Sequence, residues 1–501
     1  MGKTASKRFE SYIDGMTAAL GHADRDEPFR RYTTGLLLPL ERKSVEPIAA
    51  RVDPAHVSAA HQSLHHFVAK ADWSDQTLLS AVRDKVLPAI ERHGPIAAWI
   101  IDDTGFPKKG KHSVGVARQY CGQLGKQDNC QVAVSLSVAN EAGSLPIDYR
   151  LYLPKDWAGD PVRRAKAGVP DEIAFQTKPS MALDQIRKAV ADDIPLGVVL
   201  ADAGYGADMK FQTGLLELGL DYVPVCRSEA PKIRHEKRDL RRDAAAGGDV
   251  VGIQPNSSVW TDGKAPKPPK PWSGQGRPPK RLQRSEDHQP ILAKDLALSL
   301  PASAWQDVTW RAGTKGDLVS RFAAQRIRPA HRDDEREEPW PELWLLIERP
   351  EDEDEPTKFW FANLPADTSI DDLVWQAKLR WRIEPDYLEL KQELGLGHYE
   401  GRGWRGFHHH ASLCIAAYGF LVAERLTFPP KGGGTKPRLR LPVRPKTFKP
   451  RGSPHQARTS RRPIHRHHAL AHCHRTRPTT APMSMLPTGS RYRQPMTFMT
   501  Q

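Results

Sequence analysis

The sequence predicts an α/β fold, preceded by an all-helical segment and interrupted by a strand-rich stretch. Three observations carry this. Apolar residues before position 94 recur at helical spacing, as in Leu78, Leu79, Val82, Val86, Leu87 and Ile90. From Ile96 onward short apolar runs alternate with helical ones in the order βββ-α-β-α-β. Two of those runs end in carboxylates, Asp102-Asp103 and Asp202, at the strand ends where open α/β sheets usually bind ligands.

The elements follow in order. Residues 1–94 read as a helical N-terminal domain, with Ser74 or Asp75 capping its last helix and His93-Gly94-Pro95 ending it. Its Arg30-Arg31 and Arg42-Lys43 clusters suit either DNA phosphates or a solvated charged face. Residues 95–226 form the first part of the α/β core. Its strands are expected at Ala97 to Ile101, Gln131 to Val138, Leu145 to Leu153, Leu196 to Ala201 and Tyr222 to Val225, with helices at Met181 to Ala191 and Met209 to Leu218.

Residues 227–365 combine a linker with a β-rich insertion. A basic run (Lys232 to Arg242) and a Pro-rich basic segment (Lys264 to Arg284) precede strands at Trp305 to Arg311, Arg321 to Ile327, Leu343 to Glu348 and Lys358 to Ala362. The last two strands flank an acidic loop over 350–356. Residues 366–430 return to helical periodicity, with a break near Gly395. Residues 431–501 are a basic, Pro-rich tail with little periodicity, expected to be disordered. It reads either as a DNA-binding arm or as the product of a shifted reading frame.

Charge separates the tail from the body. The 501 residues carry 74 Lys+Arg and 60 Asp+Glu, a net charge of +14. The tail holds 16 of the cations and no acid, which leaves the first 430 residues at −2. Nucleic-acid affinity in the body must therefore come from local patches. Composition (39% hydrophobic, 27% charged) excludes collagen-like, wholly disordered and disulfide-framework classes. Five scattered cysteines without a C-x-x-C pair point to a reducing compartment and against structural zinc. The longest apolar stretch, Leu413 to Ala423, falls short of the ~20 residues a membrane span needs. A cytoplasmic, nucleoid-associated protein with no membrane partner is expected.

Two strand-terminal aspartates, followed by a glutamate on a late helix, suggest a carboxylate cluster for a divalent metal. Oxygen ligands suit hard cations, and such a cluster can hold two ions about 4 Å apart for phosphodiester chemistry. A lone strand-end Asp is more often a turn-former or helix cap. The third member lies in Arg380-Trp381-Arg382-Ile383-Glu384-Pro385-Asp386-Tyr387-Leu388-Glu389-Leu390-Lys391. At helical spacing Arg380, Glu384, Tyr387 and Lys391 share one face, as a carboxylate flanked by two cations near the site or as a surface salt-bridge ladder. Pro385 either kinks this helix or starts it, with Glu384 at the cap.

These residues resemble the DDE transposases of bacterial insertion sequences, in the group with the Y-x2-R-x3-E-x6-K signature. Arg380, Glu384 and Lys391 match in type and spacing, whereas the tyrosine position is Ala377, with Trp375 or Tyr387 as possible substitutes. The runs Ile101 to Gly110 and Val199 to Gly206 resemble the group's two aspartate motifs, and Gly115 to Cys121 and Gly401 to His410 are similar to segments of one subfamily. The resemblance covers roughly residues 30 to 430.

It implies an RNase H-like catalytic core, split by a strand-rich insertion, that performs metal-dependent cut-and-paste DNA transfer. Asp102, Asp202 and Glu384 would be catalytic and bind Mg²⁺ or Mn²⁺, two ions being expected, with Asp103 as the alternative first ligand. Arg380 and Lys391 would contact DNA phosphates, joined by Lys108 and Lys109 beside the first motif. Gly276-Arg277-Pro278 resembles the core of a minor-groove AT-hook, with a flexible basic linker as the other reading. The implied partners are terminal inverted repeats, target DNA and a second copy of the chain. A catalytically silent, transposase-derived DNA-binding protein and an RNase H-like nuclease without strand transfer are the rival readings. The adjacent His408, His409 and His410 point in different directions on a helix, which favours structural or phosphate contacts over metal binding.

Overall fold

The computed structural model describes residues 4–220, 249–312, 316–351 and 353–428. The expected strand at Tyr222 to Val225, the basic run Lys232 to Arg242 and the 431–501 tail lie outside them.

Five helices open the chain: α1 (Ala5–Thr17), α2 (Asp26–Leu37), α3 (Val45–Val52), α4 (Val57–Ala69) and α5 (Asp75–Glu91). Ser74 caps α5, its Oγ accepting from Thr77 N at 3.2 Å. Next come β1 (Ala98–Pro107), β2 (Ala117–Cys121), β3 (Lys126–Ala139), β4 (Ser144–Leu151), the short α6 (Lys155–Ala158) and α7 (Pro161–Ala167), then α8 (Lys178–Ala191), β5 (Val198–Ala201), α9 (Ala203–Gly206) and α10 (Met209–Glu217). After these stand β6 (Asp249–Ile253), β7 (Ser258–Trp260), β8 (Ile291–Leu292), α11 (Ala293–Ser299), β9 (Gln306–Ala312), β10 (Asp317–Pro329), β11 (Leu343–Arg349) and β12 (Lys358–Ala362). The chain closes with α12 (Ile370–Leu379), a 3₁₀ turn (Arg380–Arg382), α13 (Ile383–Leu388), a π-helical turn (Glu389–Glu393) and α14 (Trp404–Thr427).

The central strands have the order and direction of an RNase H-like core. β1 runs antiparallel to β3, which pairs antiparallel with β4; β5 lies parallel to β1, and β6 parallel to β5. The fifth place is thus taken by β6, a strand the sequence pattern did not mark because Gly252 interrupts its apolar run. That glycine is required by packing, since a Cβ there would lie 2.9 Å from Ala203 N as α9 crosses β6. Beyond β6 the sheet continues through β12, β11, β10, β7 and β8. The strands expected between 305 and 362 therefore extend the core sheet, through the β6–β12 pairing of Val251 with Phe361.

The N-terminal helices do not stand apart from this core. The helix α14 is buried almost all round from Phe407 to Phe420, which requires cover on every side. The sheet supplies one side and α2, α4 and α5 the other. Tyr12 OH donates to Ala416 O at 2.9 Å, and Tyr32 OH donates to His410 Nδ1 at 2.8 Å.

Candidate active site

Successive side chains on a strand point to opposite faces of the sheet, so β1 sends its two aspartates in different directions. Asp102 lies opposite Ser135 on β3, and Ser135 opposite Tyr149 on β4. This face meets α13 and α14: Tyr387 hydrogen-bonds the Ser135 hydroxyl, and the Tyr149 ring stacks on Phe407 at 6.4 Å. Asp103 points to the other face, where Lys178 at the start of α8 holds it at 2.6 Å. Of the two candidates for the first carboxylate, Asp102 faces the rest of the constellation.

Asp202 follows β5 and caps α9. Its Oδ1 accepts from Gly204 N at 2.8 Å and Tyr205 N at 3.3 Å, while Oδ2 stays clear of the cap. Both readings of this residue hold at once, because a carboxylate has lone pairs for a cap and for a cation. Gly206 lets α9 lie against β6, since a Cβ there would overlap Gly252 O.

Arg380 joins the two motifs. Its Nη2 lies 2.7 Å from Asp102 Oδ1 and 3.9 Å from Asp202 Oδ2. Burial alone would lower its pKa, but the charges of Asp102, Asp202 and Glu384 outweigh burial and raise it. Asp102 is pushed up to about 6, mainly by burial, with Asp103 and Asp202 adding to the rise and Arg380 opposing it. The helix that delivers Arg380 is pinned to the extended sheet two residues earlier. Lys378 Nζ on α12 lies 2.6 and 2.7 Å from the Glu348 oxygens of β11, among the rings of Trp310, Phe322 and Trp360.

Glu384 is solvent-exposed on α13 and makes no hydrogen bond or ion pair among the described residues. It acts on Arg380 through its charge but does not close a three-carboxylate cluster: no group of three or more His, Cys, Asp or Glu among the described residues could hold a metal ion. Glu384 is also not a helix cap. It is the second residue of α13 and Pro385 the third, where the missing N–H costs little because first-turn donors have no helical acceptor.

The cations expected to contact DNA divide into two kinds. Lys391 Nζ donates to Gly105 O at 3.3 Å and sits 5.3 Å from the Phe106 ring, and burial lowers its pKa. Lys108 donates to Tyr399 O at 2.8 Å and is likewise lowered by burial. Both are engaged internally in this state, so the Arg380–Glu384–Tyr387–Lys391 stripe is no surface ladder; three of its members face the sheet. Lys109 is exposed just past the end of β1, and Arg277 is exposed on the 264–284 segment between β7 and β8.

Neither substitute for the signature tyrosine is free. Ala377 is buried, Trp375 packs against the core, and the Tyr387 hydroxyl is taken by Ser135. The three histidines are structural. His408 Nδ1 donates to Trp404 O and its Nε2 accepts from Leu151 N, His410 Nε2 donates to Gly395 O, and His409 lies between Val68 O and Trp73 O, stacked 3.6 Å from Trp73. Sequence reasoning missed three contacts: the Arg380 bridge, the Lys178–Asp103 pair and the Ser135–Tyr387 bond. Only tertiary pairing brings these residues together, although the parity of β1 could have separated Asp102 from Asp103.

The donor set fits a divalent cation. Asp102 and Asp202 offer hard oxygens, Asp202 Oδ2 accepts no hydrogen bond among the described residues, and both carboxylates already converge on one positive group. The Arg380 guanidinium serves as the stand-in cation, and its buried Nε has no partner among the described residues.

Comparison with known proteins gives the family. The family described as DDE superfamily endonuclease, whose members generally use divalent metal ions, matches residues 15–249 and 248–317, a span that includes both aspartates and ends before Arg380. A relative in Microchaete diplosiphon, "Probable transposase for insertion sequence element IS701", is 34% identical over 203 residues, 40% of this chain and 49% of the relative. The match thus spans about half of that protein's length. With the family pattern covering more than half of the chain, this protein belongs to the DDE superfamily endonucleases.

Proposed function

We propose that the protein is an insertion-sequence transposase that cuts DNA at the element's ends and joins the freed 3′-hydroxyl to target DNA. The observation that carries this reading is the convergence of Asp102 and Asp202 on Arg380, in a chain of the DDE endonuclease family whose curated relative is a probable transposase. The substrates are terminal inverted repeats and target DNA, and two copies of the chain act together because two ends must be joined. Its expected place is the cytoplasm, at the nucleoid.

Asp102, Asp202 and Glu384 would hold divalent metal, Mg²⁺ or Mn²⁺, with two ions as the full complement. Such ions activate the attacking oxygen and stabilise the leaving one in phosphodiester transfer. The chain's own residues prepare the site. The α9 cap fixes Asp202 by one oxygen, leaving the other for a cation. The parity of β1 presents Asp102 to the same space, and Lys178 keeps Asp103 on the far face. Arg380 offsets the charge of the pair, and its fork would suit a DNA phosphate beside it. Lys109 adds an exposed cation beside the strand end, with Lys108 and Lys391 behind it.

The experiment is cleavage of a labelled duplex bearing the element's end, with Mg²⁺ or Mn²⁺, beside Asp202→Ala. Metal-dependent nicking at the end, abolished by the substitution, is expected. Specific binding without nicking would favour a silent DNA-binding descendant, and nicking without joining to target would favour a simple nuclease.

A further inference from the structure

The Pro-rich segment 264–284 belongs to none of the catalytic machinery, yet its base is firmly built. Lys267 and Gln283 exchange backbone hydrogen bonds of 2.8 Å, and Leu282 N donates to Arg336 O at 2.9 Å. Leu282 is buried. Below it, the fully buried Asp333 accepts from Trp260 Nε1 at 2.5 Å and from Arg284 Nε at 2.9 Å, so its charge is neutralised inside the fold. Breaking such a pair is costly, which makes the base a fixed mount.

What the mount carries is exposed and cationic. Every residue from Lys270 to Arg281 is exposed, and no acid lies between Asp262 and Glu286, whereas that interval holds seven Lys or Arg. Lys267, Lys280 and Arg284 have ion-pair partners; Lys264, Lys270, Arg277 and Arg281 have none among the described residues. Prolines 268, 269, 271, 278 and 279 restrict the backbone, so little order remains to be lost on binding. At the tip Trp272 is 53% exposed, and its Nε1–H points to Gln275 O and Gly276 O, both at 3.2 Å. Gly274 and Gly276 take positive φ (84° and 73°), closing the turn that sets Arg277 after it.

We propose that residues 268–281 form a preformed strap that grips duplex DNA outside the catalytic site, with Arg277 entering an A·T-rich minor groove and Lys270 and Arg281 on the flanking phosphates. A narrow A·T groove concentrates negative potential and admits an extended Arg between small or cyclic neighbours, which Gly276 and Pro278 are. Trp272 braces the turn and covers sugar surface at the groove rim. The strap is mounted five strand steps along the sheet from β5. Its residues are not among those that converge on Asp102 and Asp202, and the assignment shares with the proposed function only the premise that the chain acts on DNA.

The test measures binding of the full chain to A·T-rich and G·C-rich duplexes by fluorescence anisotropy across a salt series. The variants are Arg277→Ala, Arg277→Lys and the triple Lys270→Ala/Arg277→Ala/Arg281→Ala. Each released phosphate contact lowers the slope of log K against log salt by about 0.9, so the triple, which frees the phosphates of Lys270 and Arg281, should lose about 2 in slope. Affinity should fall at least tenfold. Arg277→Lys should keep the slope but lose the A·T preference, because an ammonium lacks the flat fork. Unchanged affinity and slope in the triple variant would overturn the proposal. Equal loss on both duplexes would overturn the groove assignment. All substituted side chains are exposed, so a folding defect is not expected, and circular dichroism checks it. Strap-dependent binding without cleavage would count against the catalytic reading alone, and cleavage with strap-independent binding against the strap alone.

Discussion

The ion pair that fixes α12 to the sheet can be broken and restored. The side chains of Lys378 and Glu348 are 10% and 2% exposed, and both carboxylate oxygens are within 2.7 Å of Nζ. Removing one partner of a buried pair typically costs about 3–5 kcal/mol, because the other charge is left without compensation. In Lys378→Met the stem still packs on Trp310, Phe322 and Trp360, but Glu348 keeps only Lys358, 3.5 Å away and 57% exposed. Because Lys358 still compensates part of that charge, the loss falls near the lower bound, about 3 kcal/mol. Lys378→Met/Glu348→Leu removes both charges and should regain most of it, a recovery on the order of 2 kcal/mol relative to Lys378→Met. Urea unfolding of the metal-free protein measures the cycle, and amide hydrogen exchange over β11 and α12 localises it. Since Arg380 follows α12 directly, end cleavage should fall in the single variant and recover in the double. Single variants within about 0.5 kcal/mol of the parent, or a double no better than the worse single, would refute the reasoning.

Further outcomes follow from the same structure. With its carboxyl pushed up to about 6 from 3.8, Asp102 favours folding while protonated, so metal-free stability should fall as pH rises through about 6. Asp102→Asn should remove this slope, worth at most about 3 kcal/mol, and pH-dependent unfolding of the two proteins compares them. His409 and His410 are lowered to about 4, mainly by burial, so each resists protonation and stability should also be lost as pH falls from about 6.5 to 4. His409→Gln and His410→Gln should flatten that acid limb, read from α4 and α5 hydrogen exchange. Mg²⁺ or Mn²⁺ should raise the melting temperature of the parent but not of Asp202→Ala, which a thermal-shift titration decides. Gly206→Ala should push α9 off β6, disturb the Asp202 cap and reduce cleavage with a loss of stability.

Much of this protein was legible in its sequence, and the limits of that reading are physical. Local rules placed most strands and helices of the core, because their apolar periodicity is set by chemistry carried along the chain itself: α8, α10 and β9 to β12 lie where the pattern put them. The same rules singled out Asp102, Asp202 and Arg380, since carboxylates that follow short apolar runs and a cation at helical spacing are visible as residue types, although β1 continues to Pro107 and so holds Asp102 in mid-strand and not at the expected strand end. They did not reveal β6, whose Gly252 is explained only by α9 lying against it. Nor could they show that Lys108 and Lys391 turn inward or that the histidines hold α14 to α2 and α4. Such choices depend on which faces meet across hundreds of residues. Sequence by itself determined which groups could do the chemistry; tertiary structure decided which are brought together, because burial and pairing are properties of the packed sheet and not of any one segment.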